Sequence, residues 1–239
     1  MNRDNIDLIA RLIILIIFAF VSTVIPSGKT KGSTSPNPNI IFDRSDYPVD
    51  FNKTLVYESD FGETTSTIRD EDGTLTYRNE SDDFKYIQKI LVKDDGLYVE
   101  QTYQKLDIFL FFKKESTVSY DGPLIRIPFP LHQNDSWTWE GTESFGENRS
   151  HKSKITGKVL GIEKVETPAG TFDAVKIETT VWRHEKIRSR VTEWFAPHIG
   201  MVKTKAEILG GGFGGIVRDL LGYGEIEFEL KEIKTDNEH

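Results

Sequence analysis

The 239-residue sequence contains no cysteine. That absence excludes disulfides, thiolate metal sites, a cysteine nucleophile and a lipid-modified cysteine. Positive charge is also scarce: 30 Lys and Arg stand against 38 Asp and Glu, a formal net charge of -8. Phosphate backbones are bound by clustered cations, so nucleic acid is disfavoured as a partner. Helical spacing of apolar residues at three and four is almost missing from Phe51 onward.

The patterns that carry catalysis are equally thin. No Gly-x-Ser-x-Gly elbow occurs, and Gly210 to Gly215 lacks both the strand-to-helix dinucleotide fingerprint and a Lys-Ser/Thr ending. The five histidines (His132, His151, His184, His198 and His239) are scattered, without the i, i+4 pair that seats a metal. Carboxylate pairs such as Asp82-Asp83 and Asp94-Asp95 fall in hydrophilic turns, where nothing separates their proton affinities. The expectation is a protein that is not an enzyme, with no cofactor and no metal.

Leu12 to Ile25 is uncharged and apolar, follows Arg3 and Arg11, and precedes Pro26, Ser27 and Gly28. This is the order of a secretory signal peptide. Fourteen helical residues reach about 21 Å against a hydrocarbon core of about 30 Å, which favours a cleaved signal; starting at Leu8 with Arg11 snorkelling, a retained anchor also fits. Residues 1–28 are therefore a signal peptide or membrane anchor. Residues 29–45, rich in Gly, Ser, Pro, Asn and Lys, read as a flexible linker. The location expected is the periplasm or the extracytoplasmic face of the membrane, reached by the Sec route, with membrane contact through the N-terminal segment if it is uncleaved.

Residues 46–236 read as one antiparallel β domain. Stretches rich in Thr, Val, Ile, Tyr and Phe alternate with turn residues, so the period is two. Asp72-Gly73 and Asp94-Asp95-Gly96 are hairpin signals, and Glu166 to Thr171 (ETPAGT) is the best specified of all, with Pro168 presetting one turn dihedral and Gly170 supplying a positive one. The run Leu106 to Phe112 (LDIFLFF) is nearly all apolar. It predicts a strand over Ile108–Lys113 that is buried on both faces or walls a hydrophobic cavity. Trp137 and Trp139 alternate on one strand and so share a face. Core packing accounts for such residues; an apolar ligand cavity is the functional alternative, lined by Ile108, Phe109, Phe111, Trp137, Trp139 and Trp194.

Three blocks add a resemblance. They are Phe129-Pro130-Leu131 with Ser136-Trp137-Thr138-Trp139, then Val165-Glu166-Thr167-Pro168-Ala169-Gly170-Thr171-Phe172, then Trp194-Phe195-Ala196-Pro197-His198-Ile199-Gly200-Met201-Val202-Lys203. In this order, over roughly residues 120 to 205, they resemble a family of uncharacterised exported bacterial β-proteins similar to the lipoprotein-carrier half-barrels. The resemblance implies a curved antiparallel sheet or half-barrel around an apolar cavity or a covering helix. It carries over no catalytic residue.

The reading reached from sequence is an all-β, mainly antiparallel, envelope-located binding module preceded by an N-terminal hydrophobic helix. Its expected ligand is a lipid or other hydrophobic small molecule. The alternative is a structural or assembly protein that docks another envelope protein, with a hydrolase the least favoured.

Overall fold

Tight turns at one end of the molecule set the register of the whole sheet. In the computed structural model, which describes residues 40–49, 52–59, 62–82, 84–108, 112–145, 149–183, 186–209 and 225–235, Asp72 and Gly73 adopt φ of 54° and 81°. Two successive positive values make the turn whose twist matches paired strands. They join β3 (Gly62–Glu71) to β4 (Thr74–Glu80). Thr167 pairs with Gly170, at φ 135°, closing β10 (Arg149–Thr167) onto β11 (Gly170–Arg183), the hairpin the Pro-Ala-Gly signal predicts.

The other strands are β1 (Ile40–Phe42), β2 (Lys53–Ser59), β5 (Phe84–Lys93), β6 (Gly96–Ile108), β7 (Phe112–Pro128), β8 (Leu131–His132), β9 (Ser136–Phe145), β12 (Lys186–Ala196), β13 (Gly200–Ile208) and β14 (Glu225–Thr235). Twelve of them form a closed antiparallel barrel in the order β10-β11-β12-β13-β14-β2-β3-β4-β5-β6-β7-β9, with β9 paired back to β10. The expectation of an antiparallel all-β fold holds, but the half-barrel does not. Val118↔Phe145, Ser119↔Ser144 and Tyr120↔Glu143 join β7 to β9 and turn an open sheet into a closed one.

The predicted Ile108–Lys113 strand is also corrected. Ile108 pairs with Phe112, so the apolar run is divided between β6 and β7 and the chain reverses within it. Conversely, Ser116 to Tyr120 is part of a longer strand that continues to Pro128. The predicted N-terminal helix and the Gly210 to Gly215 loop lie outside the described residues.

The strand order gives the barrel two unlike ends. At one, β1 pairs with β8 and, with residues 43–49, forms a plug. Phe42, fully buried, packs against Phe129 and Phe195 with ring centroids 6.2 and 6.3 Å away. Burying one such ring is worth about 1.5–3 kcal/mol. His198, at φ 62°, donates its backbone N–H to Asp46 O at 2.7 Å, and the β10–β11 hairpin tip bends over this end so that Ala169 N–H reaches Leu230 O at 3.0 Å. At the far end the six strand connections each pass through residues outside the described set.

Alternation decides what faces inward. Tyr86, Gln88 and Ile90 on β5, Trp137 and Trp139 on β9, and Val191, Glu193 and Phe195 on β12 project into the barrel. Tyr57, Trp139, Phe195 and Phe228 are among the largest fully buried side chains. A barrel of more than eight strands has a lumen too wide for small residues to fill, which accounts for these large rings. The outer face carries cross-strand ion pairs instead: Lys154–Glu140, Arg190–Glu178 and Glu207, Lys203–Glu229 and Lys231–Glu63. That surface is the inverse of a membrane barrel, which presents an apolar band outward.

Candidate functional site

Near the plugged end the filling is incomplete. A slot of about 50 Å³ opens between β2, β3, β4 and the plug, walled by Leu55, Tyr57, Ile68, Tyr77, Phe195 and Met201. Tyr47, Pro48 and Gly200 border it, and Gly200 sits at φ 102°, where a Cβ would come within 3.4 Å of Pro48 Cγ. Glycine there both permits the turn and keeps the border open. Tyr57 donates its hydroxyl to Met201 O at 2.6 Å, fixing one wall, and the Tyr77 hydroxyl lies 3.1 Å from Ser66 Oγ on the opposite one.

Arg126 from β7 enters the lining, and its guanidinium pairs with Glu193 from β12. The cation also stands 5.6 Å from the Phe195 ring centroid. Burial works most strongly against the Arg126 charge, but the Glu193 carboxylate together with Tyr47, Tyr86 and Tyr77 outweighs it, and the guanidinium stays protonated. Burial raises the Glu193 carboxyl above its ordinary value, with Arg126 pulling the other way. The surrounding tyrosines are held neutral by the same desolvation: Tyr47 is pushed up to about 12, Tyr77 is raised, and Tyr57 and Tyr86 lie well above their ordinary value.

Towards the far end the lumen turns polar. Gln88 and Gln104, at 0% and 2% exposure, have neither amide atom hydrogen-bonded within the protein, while Ser153 donates to buried Glu143 at 2.7 Å. Among the described residues no group of three His, Cys, Asp or Glu could hold a metal ion.

The residues singled out from sequence do not converge on one place. Trp137 and Trp139 share the inner face of β9, where each indole lies close against a neighbouring glycine, Gly157 and Gly141 respectively, and Trp139 meets Tyr120 edge-on at 6.4 Å. Trp194 lies on the opposite, outer side of the sheet. Its Nε1–H donates to Glu163 at 2.6 Å, and Lys176 and Lys203 stand 5.0 and 5.9 Å from its ring. Ile108 ends β6 at the far end, and Phe109 and Phe111 lie outside the described residues. His132 closes its own turn, with Nδ1 3.0 Å from Asp135 Oδ2.

Arg126 and Glu193 were missed in the sequence, although each leaves a trace. Arg126 is the lone charge in Pro123-Leu124-Ile125-Arg126-Ile127-Pro128, and Glu193 shares the parity of Val191 and Phe195. A charge at an inward position of a strand needs a partner from across the core.

Three solved structures are similar to this chain over most of their length, each with a low TM-score. A candidate lipoprotein from Parabacteroides distasonis is 11% identical, with a TM-score of 0.39 over 81% of this chain and 99% of its own. A candidate exported protein with a YmcC-like fold from Bacteroides fragilis is 13% identical, with a TM-score of 0.31 over 79% and 98%. The hypothetical lipoprotein YmcC from Escherichia coli is 14% identical, with a TM-score of 0.38 over 82% and 93%. No curated protein matches the sequence. The profile of the DUF3108-like family matches residues 63–207, a span that begins in β3, well before the three motif blocks, and ends in β13. With more than half of its length matched to that profile, the chain belongs to the DUF3108-like family.

Proposed function

We propose that this protein is an exported, extracytoplasmic and non-enzymatic binding module that takes a short apolar group of a lipid-like ligand into the slot at its plugged end. The observation that carries this reading is the slot itself, an opening at the plugged end lined by Leu55, Ile68, Phe195 and Met201. Apolar walls with a few fixed polar groups are what small-molecule sites are made of. At about 50 Å³ it holds a few heavy atoms and not a whole acyl chain, since a cavity of about 150 Å³ is what accepts benzene. The signal-like segment at Leu12 to Ile25 supports the location. β1 follows directly on residues 29–39, whose eleven positions span at most about 40 Å, so the slot's end is the one held nearest a membrane anchor.

The test is native mass spectrometry with organic extraction on protein purified from its own envelope fraction, with displacement of a fluorescent fatty acid by the extracted compound. A copurified lipid-like molecule whose binding is lost in Ile68→Trp, which fills the slot, supports the reading. An empty protein that displaces nothing sinks it.

A second reading, docking of another envelope protein, is favoured by a different observation. Beyond the three residue pairs that close the barrel, Asp121–Pro128 of β7 and Ser136–Thr142 of β9 are not paired with each other. Two such facing edges offer backbone groups to an added strand. One stoichiometric partner copurifying without lipid, and lost when Thr138 is replaced by proline, would favour this reading over the first.

A further inference from the structure

We infer that the slot selects an uncharged acyl carbonyl, that of an ester or amide of a short fatty chain, over a free carboxylate. The inference rests on the slot being the ligand site proposed above and names the chemistry it recognises. Arg126 Nε is buried and has no hydrogen-bond acceptor within the protein, although Arg126 lines the slot. One terminal nitrogen of the same guanidinium is engaged by Glu193. The charge of Arg126 is thus already matched while one of its donors is unspent.

That combination is selective. A carbonyl oxygen accepts the idle N–H and adds no charge. A carboxylate would bring a second anion into the surroundings of buried Glu193, where the other polar neighbours, Tyr47, Tyr57 and Tyr77, are neutral hydroxyls. An uncompensated charge in such a place costs more than one hydrogen bond returns. Lys53 also lines the slot, at the first position of β2, but an ammonium holds its hydration more strongly than a guanidinium does, which lowers its worth as a counter-ion for a group at Arg126. The walls beyond Arg126, formed by Leu55, Ile68 and Met201, suit the methylenes next to the carbonyl. The volume of about 50 Å³ stops the fit after a few carbons.

The experiment titrates the full chain, kept soluble in a fluorinated surfactant, with methyl hexanoate and with hexanoate, followed by saturation-transfer NMR and calorimetry. Wild type is expected to bind the ester roughly tenfold or more tightly than the carboxylate, the cost of the extra buried charge. The double variant Arg126→Met/Glu193→Leu, which removes the donor without orphaning the acid, is expected to lose roughly tenfold in ester affinity. Equal or tighter binding of hexanoate, or unchanged ester binding in a folded double variant, overturns the carbonyl inference while leaving the slot a ligand site. Absence of binding by both probes to wild type overturns the binding-module reading as well. Should the double variant fail to fold, the wild-type comparison decides alone.

Discussion

Arg126 on β7 and Glu193 on β12, 67 positions apart in the chain, face each other inside the barrel with side chains 11% and 6% exposed. Neither could be buried alone. Removing one partner leaves an uncompensated charge, which costs about 3–5 kcal/mol, whereas replacing both with apolar residues of similar volume is often neutral. Arg126→Met is therefore expected to lower unfolding free energy by about that amount, and Arg126→Met/Glu193→Leu to recover most of it. Denaturant titrations of the wild type and the two variants measure this. Equal loss in both variants would refute the pairing as the source of the effect.

The tyrosines around this pair predict weakness in alkali. Tyr47 is pushed from an ordinary 10.0 to about 12 by burial, and Tyr57 and Tyr86 lie well above their ordinary value for the same reason. Each raised group binds its proton more tightly when folded, so its contribution is fully present below pH 10 and is lost as pH rises through the folded value. For Tyr47 alone the loss by pH 12 is roughly 2–3 kcal/mol. Unfolding free energy should fall steeply from about pH 10 upward, and Tyr47→Phe should flatten the slope by about one proton. Stability curves at several alkaline pH values test the sign; a rise above pH 10 would contradict it.

The closure between β7 and β9 sets where the barrel opens first. Three residue pairs hold it, against the long run from Ser153↔Arg183 to Thr167↔Gly170 between β10 and β11, broken only by a shift between Val159 and Gly161. Local opening follows the fewest buried hydrogen bonds. In hydrogen exchange, the β7-facing amides of Ser136–Thr142 should exchange faster than the amides of Ile155–Val165, and before global unfolding. Uniform protection across β9 and β10 would show the seam to be as strong as the rest.

Turn chemistry explains which parts of this fold can be read from the sequence. Asp72-Gly73 and Pro168-Ala169-Gly170 encode their hairpins in two or three adjacent residues, and the alternation of Trp137 and Trp139 encodes a shared face. Barrel closure is encoded nowhere locally, because Val118 and Phe145 are separated in the chain by the rest of β7, by β8 and by most of β9. The apolar run at Leu106 to Phe112 misled for a related reason: without a Gly, Pro or Asn to mark it, the reversal between Ile108 and Phe112 leaves no turn signal. β1 and β8 are too short to show a period. The slot was invisible because it depends on Tyr47, Tyr57, Tyr77 and Arg126, which four different parts of the chain deliver to one place.

The two glycines beneath the tryptophans give the last prediction. On β10, Gly157 sits opposite Trp137, and a Cβ built on it would overlap the indole at Cε2 and Cζ2; Gly141 meets Trp139 in the same way. The clash is with the body of a ring held in the lumen, not with the end of a flexible chain, so the ring must move. Trp139 is fully buried against Tyr120 and has less room to do so than half-buried Trp137. Gly157→Ala should therefore cost about 1–3 kcal/mol, as overpacking does, and Gly141→Ala should fall at or above the upper end of that range. Near-ultraviolet circular dichroism, which reports fixed indoles, should change in both variants while far-ultraviolet signal is kept. If Gly141→Ala is tolerated without loss of stability, the Trp139 indole packed against Gly141 is not what fills this part of the lumen.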